Sequence, residues 1–203
     1  MLQIQPLLLN DDIERYKDNW QKINDTSLND ASKEHLLTEW LITLFNRLFT
    51  HHNTILVRGE FKDGIDEPEY FPATVNEPAK IVFAHGFFAS ALHEISHWCI
   101  AGKQRRTLND FGYWYAPDGR SEEQQKNFEK VEIKPQAIEC LLTLACGRFF
   151  RVSQDNLFAN FDTSNSTFEQ DVYNQVHDYL TQPSILPKDA QLLLITLVKT
   201  CLQ

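Results

Sequence analysis

Every glycine of this 203-residue chain lies between Gly59 and Gly147, and that distribution constrains the fold more than any other feature. Glycine supplies left-handed turns and close backbone approaches, so long stretches without it favour continuous helix. Both ends therefore read as helical material wrapped around a central unit where the turns crowd together. Leu36, Leu37, Trp40, Leu41, Leu44, Phe45 and Leu48 recur at helical spacing and predict an amphipathic helix from Ser32 to about His51. Strand-like runs follow at Thr54–Val57, Tyr70–Val75 and Ile81–Phe83, broken by Pro and Gly. A helix is expected over Ser90–Ala101, stopped by Gly102 and Lys103. Beyond the Pro117-Asp118-Gly119 turn, Ser121-x-x-Gln124 is a capping box, and Pro135 either starts a new helix or kinks one that continues through Gly147. Ser166-x-x-Glu169 caps a further helix, and Pro187–Leu202 makes the last. The expected class is α+β, a helix-rich single domain with a small sheet.

Composition narrows the function. At 42% apolar and 12% aromatic residues the chain can close a substantial core. Its net charge of −9 argues against binding a phosphate backbone, so no nucleic acid is expected as partner. The charge is uneven. Residues 80–135 carry a balance of +1, leaving −10 for the remainder, and the middle of the chain reads as a docking and reaction surface. Cys99, Cys140, Cys146 and Cys201 sit in apolar stretches without a CxxC pair, which suits buried thiols in a reducing cytoplasm better than a disulfide framework. The N-terminal run lacks a basic region and ends at once in Asp11 and Asp12, so no signal peptide is expected. The most apolar segment, Leu192–Val198, falls far short of the roughly 18 residues of a membrane span.

One motif carries chemistry. His93-Glu94-Ile95-Ser96-His97 is an HExxH sequence on the helix expected over Ser90–Ala101. At helical geometry His93 and His97 lie about 40° apart and about 6 Å along the axis, so both imidazoles can meet one ion. Leu92, Ile95 and Cys99 fall on the opposite side and give the helix an apolar back. Chance would produce the motif about 0.016 times in a chain of this composition. The plain alternative is a helix with two core histidines. Two histidines need a third protein ligand, for which Glu132, Glu139, Glu129 and Asp110 are the candidates. Glu132 stands out in the β-branched context Val131-Glu132-Ile133, although an acid just before Pro135 also suits a helix start. With this donor set the ion is either Zn²⁺ in a hydrolase, with Glu94 as the general base, or Fe(II) in a facial triad whose open positions take O₂. Spacing does not choose between them. The chain thus divides into a helical N-terminal extension (1–53), a metal-site core (54–147) and C-terminal helices (148–203) of one domain, 1–203.

The blocks IVFAHGFFASALHEISHWCIAGKQRR, DFGYWYAPDGR and FEKVEIKPQA, preceded by DEPEYFPA at Asp66–Ala73, resemble the elongation factor P hydroxylase family. The resemblance runs from about Ile81 to Gly147, roughly half the chain, and weakens in the first fifty residues and towards the C-terminus. It implies a non-haem, iron-dependent monooxygenase using O₂ to hydroxylate the β-lysylated lysine of elongation factor P, with His93, His97 and Glu132 as ligands. It also implies an HExxH helix like that of zincins in local architecture, which is an analogy of fold and not evidence of proteolysis. On that reading Glu94 is an orienting or proton-handling residue. The competing classes are an HExxH zinc peptidase with Glu94 as base, and a binding module whose metal only holds the fold.

Further candidates surround this centre. His85, at a strand-to-helix turn, is a candidate substrate contact or a plain loop histidine. Tyr113 and Tyr115, with Trp114 between them, can wall a slot for a long cationic side chain, or simply pack in the core. Glu60, Asp63, Asp66, Glu67 and Glu69 form an acidic loop that either receives ammonium groups or is only solvated. Lys103, Arg105, Arg106 and Arg120 suit docking of an acidic protein surface, and also suit a helix C-terminus.

Overall fold

The structure, a computed structural model, describes residues 8–59, 67–112, 119–154, 156, 161 and 166–202. The glycine-free N-terminal third forms α1 (Asn10–Asp25) and α2 (Asp30–Leu48). α2 begins two residues ahead of the expected Ser32 because the Asn29 side chain caps it, accepting from the Ser32 N–H at 2.9 Å. Its Leu41, Leu44 and Phe45 are fully buried. α1 contributes Tyr16 and Trp20 to the core; the Trp20 ring centre lies 4.8 Å from that of Trp40 and 6.0 Å from that of Phe88. The Trp40 indole N–H donates to the Tyr16 carbonyl at 2.9 Å, so the polar end of the indole is satisfied inside.

The sheet contains β1 (Thr54–Arg58), β2 (Glu69–Phe71) and β3 (Ala79–Phe83), with β3 central, parallel to β1 and antiparallel to β2. Ala79, Ile81 and Phe83 alternate into the core as a half-buried strand requires. β2 ends at Phe71 instead of running on to Val75. Pro72 has no N–H for the ladder, and Val75 stands fully in solvent.

The chain leaves β3 through His85 (φ 57°) and Gly86 (φ 71°) and enters α3 (Phe88–Arg105), the HExxH helix. Glycine suits position 86 because the left-handed φ of 71° strains a residue with a side chain, and the Arg58 guanidinium donates to the Gly86 carbonyl. α3 starts two residues ahead of the expected Ser90, and Gly102 (φ 64°, ψ 176°) breaks its regular backbone at the anticipated stop, with the residues up to Arg105 following across that kink. Its first turn has no cap from Phe87. Glu34 of α2 accepts from the Phe88 N–H at 2.9 Å instead, while the other oxygen of that carboxylate pairs with Arg148.

α4 (Glu122–Ala145) starts at the Ser121–Gln124 capping box, both of whose bonds form, and continues as one helix through Pro135. The N–H that Pro135 lacks would have met the carbonyl of Val131, one turn earlier in the helix. α5 (Phe168–Thr181) packs along α4, and α6 (Lys188–Cys201) packs on α1 and α4. The expected Ser166–Glu169 box does not form. The Ser166 hydroxyl accepts from the Phe168 N–H and donates to Glu129, which holds this segment against α4.

One hydrophobic core joins these elements, with Phe45, Phe49, Phe83, Phe88, Trp98 and Phe168 among its fully buried rings. The fold is a helix-rich α+β domain. All four cysteines are free thiols, with Cys146 and Cys201 Sγ atoms 4.0 Å apart. Among the described residues no helix is long and apolar enough to cross a membrane.

Candidate metal centre

α3 buries Leu92, Ile95, Ser96 and Cys99 on its back and turns His93 and His97, one turn apart, towards α4. Their Nε2 atoms are 3.1 Å apart. Glu132 of α4 enters the same space from the facing helix, its Oε1 3.2 Å from His97 Nε2 and its Oε2 3.8 Å from His93 Nε2. One ligand atom from each of the three side chains lies within 4.8 Å of the others, a grouping that could hold a metal ion. The donor set, two neutral-capable imidazoles and one carboxylate, is that of a first-row transition metal site.

Electrostatics hold the cluster together without the ion. Burial alone would raise the Glu132 carboxyl, which is only 1% exposed, but the charge and hydrogen bond of His97, then His93 and Gln136, hold it at about 2. For His93 burial again works against the charged form. The Glu139 hydrogen bond and charge, followed by Glu132 and Glu94, overcome it and raise the imidazole to about 10. The His93 side chain keeps 31% of its surface exposed, which softens the burial penalty and leaves the carboxylates in command. Glu94 moves the other way: burial raises its carboxyl, the two histidines oppose, and Glu132 and Glu139 add to the rise.

α4 brings more than the third donor. Glu132, Gln136 and Glu139 fall at i, i+4 and i+7 on one face. Gln136 is buried; its amide N–H donates to the Ser153 carbonyl at 2.8 Å and lies 3.4 Å from Glu132 Oε2, while its oxygen accepts from the Ser153 N–H at 3.0 Å. The segment after α4 is thereby fastened across the back of the carboxylate. Glu139 meets His93 at Nδ1, 2.8 Å away, on the edge of the ring remote from Nε2.

Asp110 lies away from the histidines, with its carboxylate accepting from the Tyr70 N–H, and Glu129 bonds Gln125 and Ser166. His85 is exposed at the entrance to α3, its ring stacked near Phe87 at 6.4 Å, and does not join the three-residue group. Tyr113, Trp114 and Tyr115 lie outside the described residues, as do Glu60, Asp63 and Asp66 of the acidic loop. Two members of the basic cluster are interior. Arg106 stacks 3.4 Å over Trp98 and pairs with Asp189 at 2.7 Å; Arg120 is 4% exposed, lies over Phe128 and donates to Gln125. Arg105 donates to the Phe111 carbonyl. These contacts, absent from any local sequence pattern, give Arg106 and Arg120 structural work in place of a docking face. Gln136 escaped the sequence reading, although its spacing from Glu132 on an amphipathic helix was the available signal.

The sequence profile of the elongation factor P hydroxylase family matches residues 44–201, further in both directions than the blocks around the motif. The chain is also 50% identical over 167 residues to an elongation factor P lysine hydroxylase of Haemophilus influenzae, an alignment covering 81% of this chain and 89% of that protein.

Proposed function

The chain belongs to the elongation factor P hydroxylase family, and on that footing we propose that it hydroxylates the β-lysylated lysine of elongation factor P. The cofactor is a non-haem Fe(II) held by His93, His97 and Glu132, with O₂ as cosubstrate. The observation that carries this reading is the convergence of two imidazole nitrogens and one buried carboxylate within 3.8 Å of one another. When bound, Fe(II) supplies the redox chemistry that activates O₂ at positions three protein ligands leave open.

The chain's own residues do the rest. His93 and His97 would offer their Nε2 lone pairs to the ion, and the anionic Glu132 would balance part of the added charge. The dry backs of α3 and α4 limit water around the ligands. Glu94, its carboxyl raised by burial, is placed to handle a proton. The anionic Glu132 makes the surroundings favourable to an ammonium-bearing side chain. A zinc peptidase would use Glu94 as its general base; the family match is what favours the hydroxylase. The reaction takes place in the cytoplasm on a protein substrate, without a nucleic-acid or membrane partner, in keeping with the net charge of −9.

The test is the mass of elongation factor P from cells with and without this protein, joined to metal analysis of anaerobically purified enzyme. A +16 Da product that depends on the protein, with iron present, is expected. Tightly held zinc, no iron uptake and no O₂ consumption would sink the proposal in favour of the peptidase class.

A further inference from the structure

We propose that Glu139 is a positioning residue for His93, fixing the imidazole with its proton on Nδ1 so that Nε2 faces the ion. The inference rests on the metal-binding reading above. Glu139 Oε2 lies 2.8 Å from His93 Nδ1, and a carboxylate oxygen that accepts there holds the proton on that nitrogen. The lone pair available to a cation is then on Nε2, the atom 3.1 Å from His97 Nε2 and 3.8 Å from Glu132. Without the carboxylate the ring can carry its proton on either nitrogen, and the form protonated at Nε2 cannot ligate.

Helix geometry separates the two acids of α4. Glu132 and Glu139 are two turns apart, about 10 Å along the axis, so one reaches the space between the histidines while the other reaches the far edge of His93. The Glu139 side chain is 13% exposed, which shields the hydrogen bond from water. One helix thus supplies both a ligand and the group that aims another ligand, and the α3–α4 packing sets both distances.

Co(II) affinity, read by competition with a chromophoric chelator, distinguishes the possibilities in wild type, Glu139→Ala and Glu139→Gln, with circular dichroism reporting the fold. Loss of the carboxylate in Glu139→Ala should weaken binding 10- to 100-fold, and Glu139→Gln, whose oxygen still accepts from Nδ1, should stay within about threefold of wild type. ¹⁵N-histidine spectra of the Zn(II)-loaded wild type should place the His93 proton on Nδ1. Unchanged affinity in a folded Glu139→Ala protein overturns the proposal. Equal weakening by Ala and Gln in folded proteins also overturns it, because charge and not orientation would then be the cause. So does a wild-type spectrum with the His93 proton on Nε2, which decides the matter even if Glu139→Ala fails to fold. Wild type that binds neither Co(II) nor Zn(II) sinks the metal reading itself, an outcome distinct from all of these.

Discussion

Oε1 of Glu132 lies 3.2 Å from Nε2 of His97 although the two residues belong to different helices. The centre is therefore a property of the α3–α4 interface and not of the HExxH helix alone. A carboxylate 1% exposed needs such a partner, since burying it unpaired would cost several kcal/mol.

Replacing Glu132 by Ala is expected to lower Fe(II) affinity by at least about 100-fold, more than the loss of an orienting group would. The +16 Da product on elongation factor P should disappear with it. Anaerobic metal titration and intact mass of the substrate check both; a variant that still forms the product would remove Glu132 from the ligand set.

Metal-free stability should depend on pH with opposite signs on the two sides. Glu132, held at about 2 against an ordinary 4.5, contributes fully above pH 4.5, and that contribution is lost as pH falls through about 2. His93, raised from 6.5 to about 10, contributes fully below pH 6.5 and loses its contribution as pH climbs towards 10. Urea midpoints should be highest between these limits. Metal affinity should run the other way on the alkaline side, rising by up to about tenfold per unit below pH 10 as His93 gives up its proton. Affinity that does not vary between pH 6.5 and 8.5 would contradict the raised imidazole.

Glu34→Ala should destabilise the protein by about 1–2 kcal/mol, because it removes both the acceptor for the Phe88 N–H and the partner of Arg148. Glu34→Gln, which keeps an acceptor, should lose less. Denaturant unfolding with an unchanged slope is the measurement, and equal losses for the two variants would assign the effect to the Arg148 pair alone.

Arg106→Met is expected to cost about 2–3 kcal/mol, somewhat less than a fully buried pair, since Asp189 keeps 21% of its side-chain surface exposed. KM for elongation factor P should stay as it is. A stable variant with a raised KM would return Arg106 to a docking role.

The periodic features were the legible ones. The apolar stripe from Leu36 to Leu48, the Ser121 capping box and the HExxH helix follow from spacing that any one helix imposes on its own sequence. Glu132 was also legible, because a carboxylate between β-branched residues is out of place on a solvated face. What could not be read were relationships between elements. Glu139 looked like a rival ligand to Glu132 until the helix packing placed it at Nδ1. Arg106 looked like a surface cation until Trp98 and Asp189 closed around it. Pro135 left two outcomes open, and the helix continues through it.

The Glu34–Phe88 hydrogen bond bears on how portable the motif is. The helix that carries His93 and His97 has its first turn completed by a side chain from a part of the chain that supplies no ligand. Trp20 and Phe45 press on the same helix at Phe88 and Trp98. A shortened protein beginning at the motif-bearing block would keep every proposed ligand and lose these supports. Grafting the block onto another scaffold would therefore transfer the residues of the centre without its geometry, unless a carboxylate is supplied to finish the helix.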